Sequence, residues 1–73
     1  MILEKLFSGL SEKEKYEITG WAFSFFMNNN LTISDAVVKA IKKVTPNKVR
    51  DDNSLKIPRS TFIELQLRVK NML

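Results

Sequence analysis

The residue types best suited to chemistry in this chain sit in one short run, "KIPRSTFIEL", starting at Lys56. An arginine and two hydroxyls, Arg59, Ser60 and Thr61, follow a proline and lead into an apolar helical pattern. Arginine offers a planar fork of donors that fits guanine or phosphate, and serine and threonine hydroxyls reach phosphate or base edges. A first helical turn adds free amides and the positive end of the helix dipole. Serine and threonine are also ordinary helix-capping residues, so the plainer reading of the same run is a simple helix start.

Other chemistries have little to stand on. The chain has no cysteine and no histidine, which removes the disulfide, the thiolate metal site and the commonest general base. No carboxylate pair stands out, so the expectation is a protein that is not an enzyme and uses neither metal nor cofactor. At 73 residues the chain is expected to form a single helical domain, 1–73. A domain this small is marginally stable and gains from a homodimer or another partner.

Charge is distributed unevenly. Residues 1–38 carry three lysines against five carboxylates, a net of −2, whereas residues 39–73 carry nine basic side chains against three acids, a net of +6. A polyanion would meet the second half, and Lys39, Lys43, Lys48, Arg50, Lys56 and Arg68 are the candidate phosphate contacts there. The competing reading is a solvated basic surface. The start, "MILEKLFSGL", mixes acid and base into its apolar run, unlike a secretory leader. The most apolar stretch, "WAFSFFM", is far shorter than a membrane span. A cytoplasmic protein without membrane attachment is expected.

Four segments must position these groups, and together they predict an all-α fold, a small three- to four-helix bundle. Ile2, Leu3, Leu6, Phe7 and Leu10 suggest a short amphipathic helix closing at Ser8 and Gly9. "SEKE" from Ser11 is a capping-box pattern opening a helix over about 11–28. Polar Lys13, Glu17, Gly20, Ser24 and Asn28 crowd one narrow face of that helix, leaving a wide apolar arc. Such an arc belongs to a central helix or to a subunit interface, with Trp21, Phe25 and Phe26 as candidate contacts.

Thr32 and Asp35 open the third segment, whose buried stripe is Val37, Ala40, Ile41 and Val44, and Pro46 forces it to stop near Val44. Residues 45–57 permit either a very short hairpin around "DDNS" or a plain loop. The last segment begins with Pro58 in the first helical position or with Thr61 as cap. Phe62, Leu65, Val69, Met72 and Leu73 form its main apolar face, and Ile63 and Leu67 add a second stripe that suits an interface.

"LTISDAVVKAIKKV" followed by "IPRSTFIELQLRVKNML" resembles the supporting and recognition helices of helix-turn-helix DNA-binding regulators, a likeness carried by these two fragments. The resemblance implies double-stranded DNA as partner, recognition-helix residues at the start of the last segment, and a homodimer acting by occupancy, as in small phage or mobile-element regulators. The family's turn is about 3–4 residues, whereas 13 residues, 45–57, separate the helices here. The alternative is a helical protein–protein module, an inhibitor or adaptor of a larger host protein, anchored by the Trp21 cluster or by Ile63 and Leu67.

Overall fold

In the computed structural model, residues 9–52 and 54–73 are described. They are all-helical: α1 is Glu12–Asn29, α2 is Ile33–Val44 and α3 is Arg59–Asn71, with a 3₁₀ turn at Pro46–Lys48. The helix expected over residues 2–10 lies mostly outside the described residues. None of these helices is long and apolar enough to cross a membrane.

The two early helices start where local hydrogen bonding dictates. The Ser11 amide donates to Glu14 Oε1 at 2.8 Å and the Glu14 amide donates to Ser11 Oγ at 3.1 Å, a complete capping box. Asn30 closes α1 in the left-handed region at φ 57°. The Asp35 amide donates to Thr32 Oγ1 at 3.1 Å to open α2. At its other end the Thr45 amide and hydroxyl both donate to the Ile41 carbonyl, after which Pro46 begins the 3₁₀ turn.

Ala36, Val37, Ala40 and Ile41 of α2 are fully buried and pack against Ile18 and Ala22 of α1 and Leu65 and Val69 of α3. Val44, expected on that stripe, is only half-buried. Among the described residues two helices pack against α1, and they bury only Lys15, Ile18, Thr19 and Ala22 of it. Tyr16, Trp21 and Met27 stay exposed, whereas Phe25 and Phe26 are half-buried against the core. Lys15 and Thr19, by contrast, turn inward and are buried.

The start of α3 differs from both expected arrangements. Pro58 is the N-cap, extended at ψ 151°, and Arg59 is the first helical residue. Thr61 lies inside the first turn and is buried, so it caps nothing. Met72 and Leu73, expected on the inner face, fall at the helix end beyond the core and are exposed.

Residues 45–52 and 54–57 form a folded spur. Val49 and Leu55 make one antiparallel bridge, flanked by Arg50 amide to Ser54 carbonyl at 2.8 Å and Lys56 amide to Lys48 carbonyl at 2.7 Å. The segment is thus a loop pinned by one isolated bridge, with no strand among the described residues. At its tip Asp52 Oδ1 accepts from the Ser54 hydroxyl and amide, which holds the Asp52 carboxyl below its usual range. Gly9, at φ +72°, packs against Ile57 and Pro58, and a Cβ there would lie 3.3 Å from Ile57 Cγ2. This contact ties the chain ahead of α1 to the start of α3.

Candidate nucleic-acid interface

At 100° per residue, Arg59, Ile63, Leu67 and Lys70 fall within about 80° of one another on α3, with Ser60 beside them. All five are exposed. This stripe is the side of α3 turned away from Leu65 and Val69. Pro58 gives the helix no side-chain cap, and its carbonyl accepts from the Thr61 and Phe62 amides. The amides of Arg59 and Ser60 precede those bonds and sit at the positive helix end, which favours an anion.

The only acid of α3 is turned off this stripe. Glu64 Oε1 accepts from the Lys15 ammonium at 3.2 Å and Oε2 from Arg68 Nη2 at 2.7 Å, while Arg68 Nη2 also donates to Glu12 Oε2 at 3.2 Å. Lys15 lies 3.8 Å from Glu12 Oε1, completing a four-membered cluster across α1 and α3. Partial burial alone would raise the Glu64 carboxyl, but the hydrogen bonds from Lys15 and Arg68 outweigh it and its pKa falls below the ordinary value. Burial likewise opposes the Arg68 charge, and hydrogen bonds to Glu12 and Glu64 reverse the balance, raising its pKa. Glu64 therefore presents no free negative charge to a polyanion.

Two of the expected DNA contacts, Thr61 and Arg68, are not free to meet a phosphate. Thr61 is 3 % exposed, so its hydroxyl has no access to phosphate. The Arg68 guanidinium is committed to two carboxylates.

The remaining cations are not gathered beside Arg59. Lys56 is exposed three residues before it, and Lys48 is half-buried on the spur. Arg50 donates to Ser54 Oγ and to the Leu55 carbonyl, bracing the spur. Lys39 and Lys43 lie on the α1–α2 seam, Lys39 Nζ 5.3 Å from the Phe25 ring centre and Lys43 Nζ 4.4 Å from that of Trp21. Trp21 and Glu12 are nine residues apart and leave α1 on opposite sides. Lys39 and Lys43 thus form a second cationic surface, away from the α1–α3 cluster.

Of the candidate interface residues, Ile63 and Leu67 are 47 % and 52 % exposed and border a shallow recess with Ile33, Gln66 and Lys70. Trp21 is open on a larger groove over the outer side of α1, whereas Phe25 and Phe26 are engaged mainly within the subunit.

Lys70 was not legible as a contact, although its spacing of eleven residues from Arg59 is a helical signal. The Lys15–Glu64 pair spans 49 residues and has no local signature. The lysine–aromatic seam did have one: Trp21 and Phe25 are four apart, as are Lys39 and Lys43, the spacing of two facing antiparallel helices. Among the described residues no cluster of acids suited to a metal ion occurs. Comparison with family models, curated proteins and solved structures yields no match to this chain.

Proposed function

We propose that this chain is a small regulator that binds double-stranded DNA through the outward stripe of α3. The observation that carries the reading is the pairing of opposites on that helix: Arg59 and Ser60 are open at an N-terminus without a side-chain cap, while Glu64 is half-buried off the stripe and paired with Lys15 and Arg68. A helix laid in the major groove meets base edges with its first residues. Arg59 would fork onto guanine, Ser60 would bond a phosphate or base, and Ile63 would touch a thymine methyl. Lys56 and Lys70 would contribute sequence-independent phosphate contacts.

The long connection is compatible with this role because it is not slack. The Val49–Leu55 bridge and the Gly9–Ile57 contact hold Pro58, and with it the direction of α3. A homodimer would set two such helices about one DNA turn apart and act by occupancy, in keeping with a cytoplasmic regulator of phage or mobile-element type.

A salt titration tests the proposal. With about four phosphate contacts, affinity for duplex DNA should fall about a hundredfold between 50 and 200 mM salt. A flat response would refute it. A second reading, an adaptor docking on a larger protein, is favoured by the exposure of Ile63 and Leu67. It predicts that Ile63→Ser abolishes capture of one protein partner while no duplex is bound at low salt.

A further inference from the structure

We infer that the outer side of α1 is a homodimer interface, in which α1 packs antiparallel against α1 of a second copy. The helix carries two apolar seams. The inner one holds Ile18 and Ala22 in the core. The outer one is Tyr16, Gly20, Phe23 and Met27, spaced four, three and four residues apart. At 100° per residue these four fall within about 60° of one another. Tyr16 is 72 % exposed and Met27 58 %, Gly20 is open, and Phe23 is only half-buried against the core. Alternating steps of three and four residues are the pattern by which one helix takes the knobs of another, so the spacing fits a helical partner.

The same pattern fits the helix to itself. In the antiparallel register Phe23 of one copy lies opposite Gly20 of the other, and Met27 opposite Tyr16, and the two-fold axis repeats both contacts. Gly20 has room for the ring, because a Cβ there would meet nothing within 4 Å. A thioether against the tyrosine ring is a favourable contact. Large side chains thus meet small ones across the axis. A parallel pair would set Phe23 on Phe23 and Gly20 on Gly20, crowding one layer and leaving a void in the next.

Charge favours this side of the molecule for a second copy. Each chain carries a net +4, so copies repel one another where cations gather. The α3 stripe presents Arg59 and Lys70, and the α2 surface presents Lys39 and Lys43. Helix α1 carries Lys13 and Lys15 against Glu12, Glu14 and Glu17, a net of −1. Its 18 residues make a strip about 27 Å long, and Met72 of α3 borders the same side. So narrow a contact falls short of the ~800 Å² per partner of a standard complex, and a Kd in the micromolar range follows. The inference assigns a face to the homodimer of the proposed function. It uses none of the α3 stripe and stands without DNA.

Sedimentation equilibrium of the full chain without DNA tests it. The mass should rise from 8.5 kDa toward twice that value between about 5 and 500 µM. Association should tighten at high salt, which screens the mutual repulsion, whereas duplex binding should weaken. Tyr16→Glu sets a carboxylate against Met27 of the other copy, and Met27→Lys sets an ammonium against Tyr16. Each should weaken association at least tenfold. Both side chains are exposed, so far-UV circular dichroism and melting should stay close to wild type. The double variant Tyr16→Glu with Met27→Lys should dimerise again, because positions 16 and 27 then meet with opposite charges, a contact that only the antiparallel register makes. Arg59→Ala should dimerise like wild type, so failure of the duplex reading and failure of this one are separable. The inference is overturned by a mass that stays at 8.5 kDa throughout, by either single variant dimerising like wild type, or by a double variant no better than the singles.

Discussion

Glu64→Gln tests the electrostatic seam that frees the outer side of α3. The substitution keeps the side chain's size and removes the negative charge that faces Lys15 at 3.2 Å and Arg68 at 2.7 Å. The Lys15 side chain is 9 % exposed, so its ammonium would lose its main partner while largely buried. Breaking a fully buried pair costs about 3–5 kcal/mol, and losing an exposed one costs about 0–1 kcal/mol. Glu64 is 39 % exposed and Lys15 retains Glu12 at 3.8 Å, which puts the expected loss between those limits. A loss of about 1.5–2 kcal/mol follows, or roughly 6–15 °C in melting temperature for a domain of this size.

Lys15→Met should cost less than Glu64→Gln, because it leaves no buried charge unpaired: Glu64 is partly exposed and keeps Arg68 at 2.7 Å. Thermal and urea melts followed at 222 nm measure both. The pH dependence supplies a second arm. A carboxyl with a depressed folded pKa contributes stability above its ordinary value of 4.5 and loses it as the pH falls through the folded pKa. Wild type and Glu64→Gln should therefore differ above the ordinary carboxyl range and converge as the pH falls through the lowered folded pKa of Glu64. A Glu64→Gln stability within about 0.5 kcal/mol of wild type, with a difference that does not vary with pH, would refute the reasoning.

Three further outcomes are expected. Leu65→Ala empties a fully buried site in a core whose α2 face includes two alanines, and should cost about 2–5 kcal/mol in the same urea melts, enough to unfold much of the chain at 37 °C. Ser11→Ala removes the capping box of α1 and should cost about 1 kcal/mol by thermal melt, with Ser11→Gly milder. Thr61→Val should leave duplex affinity unchanged in an anisotropy titration, because Thr61 is buried, whereas Ser60→Ala should weaken it.

What was readable in advance was local. The Ser11–Glu14 and Thr32–Asp35 caps are bonds across three residues, and the stop before Pro46 is a clash with the next residue, so each is written in adjacent letters. The α2 stripe was also readable because its apolar residues recur on one side of the helix. What escaped depends on where helices lie relative to one another. Thr61 looked like a cap because threonine usually is one, and only the packing of α3 turns it inward. The burial of Lys15 has no local signal, because it requires Glu64 to arrive from another helix. The aromatic arc of α1 promised a covered helix, but Tyr16 and Trp21 stay exposed. Arg68 reads from the sequence as a phosphate contact, and the fold instead pairs it with Glu64 and Glu12.

The central claim is that a duplex is held on the outward stripe of α3 and read by Arg59. The direct measurement is fluorescence anisotropy of wild type, Arg59→Ala and Lys13→Ala against a duplex selected from a random pool and against unselected duplex, in the same buffer. Lys13 is an exposed lysine on α1 and matches the loss of charge. One lost arginine–guanine contact is worth about 1–3 kcal/mol, so Arg59→Ala should lose roughly 5- to 150-fold on the selected duplex and far less on the unselected one. Lys13→Ala should change both only slightly. Equal effects of the two substitutions on both duplexes would contradict the account.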